Sequence, residues 1–362
     1  MAANEESSWE SILDNKNVIY QSTETKNGAL LSFPGEKVNA KKQLQHLASQ
    51  LRKVTAEDCK EKTYEILSSE DEIHRVDLPQ LSSGQGYRIS YKNTFQANLS
   101  TDHRMFTVSG LSGPKVPGIA YIGVTSSVVE PDEPFDNFKD REGFRLIKAN
   151  LAGWEYEWKN SKARKAIIAF LQAQGGQMGT VTKVMGIGLG NPGAKQRNNE
   201  QSYFQHLTLI LIAKELGGLP GNKDIEIIVQ DPAYTNLSRA VLAYLEDKFG
   251  RKINILKDPE AFLKIDSSTM LFHCHLTFDA ADLALSIAGK AGLAGLLGSG
   301  IDVDHQAKLT DKYLSHKTAT HHLVRLNSTK YKWAKSCQKL VIGAANKKWY
   351  GKDAYFYIRN TK

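Results

Sequence analysis

Residues 181–193, Val181-Thr-Lys-Val-Met-Gly-Ile-Gly-Leu-Gly-Asn-Pro-Gly193, read as a strand that ends in a tight loop. Val184, Met185 and Ile187 have the apolar character of a strand buried on both faces. Gly186, Gly188, Gly190 and Gly193 remove the side chains that would keep a ligand from the backbone. A polar stretch, Ala194 to Gln201, follows. From Tyr203 to Leu216 the apolar positions Phe204, Leu207, Leu211 and Leu216 then form a helical stripe. Strand, glycine loop and helix make the first half of a βαβ unit, where backbone N–H groups can cradle a phosphate or carboxylate. Close packing of a helix on a sheet asks for the same glycines. Pro192 also removes one N–H from the Gly188-Leu-Gly190-Asn-Pro-Gly193 spacing.

Beyond that unit the alternation continues. Ile225 to Asp231 reads as a buried strand ending on an acid, Ser238 to Phe249 as a helix closed by Gly250, and Ile253 to Leu256 as a short strand. Thr269 to His273 reads as another strand and Ala280 to Ala288 as a helix. Gly289 to Gly300, rich in Gly, Ala and Leu, has no assignable pattern. Leu340-Val-Ile and Tyr355-Phe-Tyr-Ile return to strand character around a turn near Gly351. Strands alternating with helices predict an α/β fold, a Rossmann-like, mostly parallel sheet with helices on both faces.

The first part of the chain has a different grammar. Residues 1–36 carry scattered apolar anchors. Val38 to Ser68 has the spacing of an amphipathic helix, with a break near Thr55. Residues 69–83 read as an acidic linker. Tyr87 to Val129 holds β-rich runs separated by Gly-Pro and Pro-Gly turns, a small antiparallel element. Trp154 and Trp158, four residues apart, are expected to pin a helix to the core. The expected organisation is 1–144 as an N-terminal helical and antiparallel β extension, 145–305 as the Rossmann-like domain, and 306–362 as a basic part packing on it.

The 362 residues carry a net charge of +8, with 41% hydrophobic and 24% charged residues, ordinary values for a globular protein. No run approaches the roughly 18 apolar residues of a membrane span, and Met1 to Trp9 lacks the character of a secretory signal. Three cysteines at wide spacing, Cys59, Cys274 and Cys337, argue against a disulfide framework and for the cytoplasm or nucleus. From His305 onward 13 Lys and Arg face only Asp311 and Asp353. That asymmetry marks either a solvated basic face or a contact for a protein or polyanion partner.

In a parallel sheet, ligands sit at the carboxyl ends of the strands, near the point where the strand order reverses. The residues expected there form three groups. The first is the glycine loop, Gly186, Gly188, Gly190, Asn191 and Gly193, with Lys195 and Arg197. The second is Asp231 with Pro232 and Tyr234. An acid at that place holds a ribose in nucleotide-binding sheets, or else caps the next helix. The third is His273-Cys274-His275. Alternation puts His273 and His275 on one face, where two imidazoles can move a proton, sit in the core, or bind a metal if His305, His321 or His322 joins them.

Together the glycine loop, the helix with Gln205-His206, the Gln230-Asp231-Pro232-Ala-Tyr234-Thr235 segment and Leu271-Phe-His273-Cys274 resemble the "sensitivity to red light reduced" family over residues 145–290. Gly186 or Gly188, Gln205, Asp231, Pro232, His273 and Cys274 match its pattern, and Phe272 stands where that pattern has a proline. The resemblance implies a Rossmann-like fold and roles in light signalling, circadian regulation, haem metabolism or proliferation, with no established reaction. On it, the chain is expected to bind a small molecule, a nucleotide- or adenosyl-type cofactor or a metabolite of unknown identity, as sensor or enzyme. The catalytic candidates are His273, His275 and Asp231. The alternative is a non-catalytic regulator acting through its basic face. A further likeness joins Gly188 to Gly193 with the glycine loop of peptidyl-tRNA hydrolases, but Arg197 is followed by Asn198 and Asn199 where that family has its catalytic histidine.

Overall fold

The computed structural model describes residues 40–54, 63–67, 73–77, 85–91, 122–128, 142–193, 199–222, 224–274, 280–299, 301, 328–342, 350 and 354–361. The chain divides into two compact units, 1–128 with 302–329 and 129–301 with 330–362.

In the first unit, helix α1 (Ala40–Val54) buries Leu44, Leu47 and Ala48 along one side, the three- and four-residue spacing of a helical face. It packs on a hairpin of β1 (Thr63–Leu67) and β2 (Ile73–Asp77) and touches β4 (Ile122–Val128), which pairs antiparallel with β3 (Gln85–Tyr91). Two expectations are corrected here. The helical pattern does not run on to Ser68, because Thr63–Leu67 pairs as a strand, and the acidic stretch 69–83 holds the partner strand. Tyr64, Ile66, Ile73 and Val76 supply the β-branched and aromatic residues that a two-stranded ribbon favours. Of the β-rich runs expected between Tyr87 and Val129, the one starting at Phe106 lies outside the described residues.

The second unit is built on seven strands in the order β10-β11-β9-β8-β5-β6-β7. Here β5 is Lys183–Ile187, β6 Glu226–Gln230, β7 Ile253–Ile255, β8 Thr269–His273, β9 Gly295–Ser299, β10 Cys337–Val341 and β11 Ala354–Arg359. From β9 to β7 all pairings are parallel, while β11 runs antiparallel to both β9 and β10. Strand order therefore runs outward in both directions from β5. The α/β architecture with its mostly parallel sheet is as the alternation predicts.

Helices α4 (Asn199–Gly217) and α5 (Asn236–Phe249) follow β5 and β6; α6 (Glu260–Leu263) and α7 (Ala280–Ala288) flank β8. Right-handed crossovers that step one way from β5 through β6 to β7, and the other way from β7 through β8 to β9, put the two pairs on opposite faces. Helices α2 (Glu142–Asn160) and α3 (Lys162–Gln174) add a further layer against α4, and α8 (Ser328–Lys335) precedes β10. As a result α4 is buried all round from Ser202 to Ala213, more than its predicted stripe. Trp158 is buried and donates to Thr208 Oγ1 at 3.2 Å, so it does fasten α2 to α4. Buried Glu155 accepts from Tyr203 at 2.8 Å and pairs with Lys248, which ties α2 to α4 and α5.

The stretch 289–300 is corrected as well, since Gly295–Ser299 is a central strand. Its glycines make room: side chains there would strike Met178 and Met270 from Gly295 and the His273 ring from Gly298.

Candidate functional site

Parallel pairing places the ends of β5, β6 and β8 together, with Ile187 level with Gln230 on one side and His273 on the other. The chain leaving β5 turns sharply. Gly188 and Gly190 have φ values of 68° and 74°, a region that side chains disfavour. Gly193 closes the loop against α5, where a Cβ would lie 2.6 Å from both Leu237 C and Ser238 N. Gly186 serves packing, since Leu189 and Leu209 fill the place of its missing side chain.

Asp231 holds this loop to the next one. Its carboxylate accepts from Gly190 N at 2.6 Å and from Ala233 N at 2.8 Å. Tyr234 N bonds back to Asp231 O at 3.3 Å, giving a turn with Asp231 first and Pro232 second, positions both residues favour. The helix cap that Asp231 was a candidate for belongs to Thr235, which forms a capping box with Ser238. Asn191 makes a second tie. Its Oδ1 accepts from Gly193 N at 2.8 Å and Ser238 Oγ at 2.6 Å, and its Nδ2 donates to Ala233 O at 2.9 Å.

These bonds engage the glycine amides of the loop. Gly188 N is bonded to Gln230 O, Gly190 N to Asp231 and Gly193 N to Asn191, and Pro192 has no N–H. These three glycine amides are thus turned inward, one of them on a carboxylate, rather than left open to an anion.

Behind the loop lies a pair the sequence named only in passing. His206 Nδ1 is 2.7 Å from Ser202 O, and its Nε2 is 2.7 Å from Tyr234 Oη. A carbonyl only accepts, so Nδ1 carries the proton. Burial pushes the imidazole down to about 4, outweighing the Ser202 bond, so Nε2 accepts from the Tyr234 hydroxyl. Burial, and then the charge of Asp231, raise Tyr234 well above the usual phenol range, which keeps that proton in place. Gln205 is completely enclosed beside His206. Ser202 Oγ is buried without a hydrogen-bond partner among the described residues. It lies 3.4 Å from where a Cβ on Gly190 would stand.

His273, only 7% exposed, ends β8 with its ring over Gly298. Cys274 follows, and burial raises its thiol far above the ordinary range, so it stays protonated at neutral pH. His275, Lys195, Arg197, His305, His321 and His322 lie outside the described residues. Among the described residues no group of three His, Cys, Asp or Glu side chains is placed to hold a metal. No described helix is long and apolar enough to cross a membrane. The structure thus gathers Gly188, Gly190, Asn191, Gly193, Asp231, Pro232 and Tyr234 around one turn, with His273 on the neighbouring strand. Ser202, His206 and Gly298 are additions. Ser202 and His206 carried a signal in their four-residue spacing on one helix face, whereas Gly298 carried none without the register of β8 and β9.

Residues 167–344 match the SRR1 domain. No curated protein and no solved structure matches the chain significantly.

Proposed function

The chain belongs to the SRR1 domain family, and from that premise we propose that it binds a small molecule of nucleotide or adenosyl type at the strand ends of its sheet. One observation carries the reading: Asp231 fastens the loops leaving β5 and β6 together, next to the β5–β8 crevice where strand order reverses and where open α/β sheets hold ligands. In this reading the Gly188–Gly193 loop, Asn191, Asp231 and Tyr234 form the seat. Tyr234 presents an acceptor, because its proton is committed to His206. The protein acts as a sensor or as an enzyme, and in an enzyme His273 is the proton carrier, its ring lying in the space that Gly298 leaves.

A thermal-shift series with nucleotides, nicotinamide and adenosyl cofactors tests it. A ligand of the folded state at a hundredfold excess over its Kd stabilises by about 2.7 kcal/mol. A hit that disappears in Asp231→Ala is the expected result; a hit that survives unchanged in that variant removes the seat from this loop.

Exposed Lys332, Lys335 and Lys339 on α8 and β10 favour a second reading, a regulator with a basic partner-binding face. Reversing these charges would abolish partner binding and leave the strand-end seat intact, and salt would weaken the complex.

A further inference from the structure

We infer that the ligand of the strand-end seat is a phosphate-free, cationic adenosyl group, adenosylmethionine, and that the chemistry it serves is methyl transfer. This inference rests on the seat proposed above and names what fills it. Three features lead there.

The first is electrostatic. A dinucleotide needs the amides of the glycine loop for its pyrophosphate. Here Gly190 N is bonded to the Asp231 carboxylate, Gly188 N and Gly193 N are bonded within the protein, and Pro192 has none. A pyrophosphate would meet fewer donors and a like charge, whereas a sulfonium beside Asp231 meets an opposite one.

The second is the sheet. In the dinucleotide-binding arrangement the sixth strand simply extends the parallel series. Here β11 is inserted between β9 and β10 and runs antiparallel to both. Read from β7, the order is β7-β6-β5-β8-β9-β11-β10 with β11 alone reversed. That is the strand order of the adenosylmethionine-dependent methyltransferase sheet. The likeness is one of fold, and it points to a ligand only because the residues at the strand ends point the same way.

The third is Ser202, a buried hydroxyl without a partner among the described residues, in the first turn of α4 and directly behind Gly190. A buried hydroxyl left unbonded is costly, and a polar group seated against this loop would satisfy it.

When bound, the sulfonium supplies a methyl group: its S–C bond breaks with the electron pair left on sulfur as a thioether, an N–C or O–C bond forms, and the nucleophile's proton leaves to a base. Asp231 orients the adenosyl group and offsets its charge, Tyr234 accepts a hydrogen bond from it, and His273 stands ready to take the proton.

Calorimetric titration of the full chain at neutral pH with S-adenosylmethionine, S-adenosylhomocysteine, NAD and ATP decides the matter. The expected ranking has the two sulfur ligands binding and NAD and ATP at least about tenfold weaker. In Asp231→Asn the affinity for S-adenosylmethionine falls about tenfold or more and that for S-adenosylhomocysteine falls less, because only the former is a cation. NAD or ATP binding more tightly than either sulfur ligand would overturn this inference and leave the strand-end seat standing. No heat with any of the four would overturn both. The wild-type ranking reads out the proposal even if Asp231→Asn does not fold.

Discussion

His206 couples the fold to pH. In the folded chain it releases its proton at about 4, against 6.5 for an ordinary imidazole, so the folded state binds that proton less readily than the unfolded chain. Stability from this residue is complete above pH 6.5 and is lost as pH falls toward 4, by up to about 3 kcal/mol. His206→Gln keeps an acceptor for Tyr234 and has nothing to protonate. Its denaturation midpoint should change less between neutral pH and pH 4 than that of the wild type, and parallel curves would contradict the assignment. His273 gives a second prediction. Gly298→Ala puts a methyl where its ring lies, at a cost of about 1–3 kcal/mol. Adding His273→Ala should return much of that loss, while strictly additive losses would show that ring and methyl do not compete. At this scale Asn191, Asp231 and Tyr234 were legible, because polar residues just after a buried strand have few places to go in a parallel sheet. Gly298 was silent, since its purpose exists only once β8 and β9 lie side by side.

At the level of elements, sequence pattern reads well where one neighbour decides it and poorly where several do. β8 and α7 have the bounds their periodicity predicts, Thr269–His273 and Ala280–Ala288. Gly295-Leu-Leu-Gly-Ser299 has no β-branched residue, yet it is a strand, because β8, β11 and the side chains of Met178 and Met270 leave its glycines no other use. The spacing of α4 shows one apolar stripe. Its remaining sides are covered by α2 and α3, which no local pattern in α4 announces. Gly193 joins the β5 loop to α5, and its contact is with main-chain atoms that cannot rotate away. Gly193→Ala should therefore destabilise by about 1–3 kcal/mol and loosen the start of α5. Thr235→Ala, which removes only the cap, should cost about 1 kcal/mol. Urea midpoints compare the two, and a Gly193→Ala midpoint equal to the wild type would contradict the close approach.

For the whole molecule, alternation of strands and helices gives a parallel sheet but not its order. Reading strand order requires knowing where each crossover lands, and the return of β11 beside β9 joins residues about sixty positions apart, such as Ile301 N and Tyr357 Oη at 2.9 Å. Deleting residues 336–362 removes β10 and β11 and leaves β9 as an uncovered edge. That chain should aggregate on gel filtration, and a folded monomer would contradict the central place of the hairpin. The central claim is the ligand seat itself. Hydrogen exchange of the full chain with and without saturating S-adenosylhomocysteine tests it most directly. Slowed exchange in the peptides covering residues 188–193 and 230–238 is the predicted result, and unchanged exchange in both at saturation would contradict it.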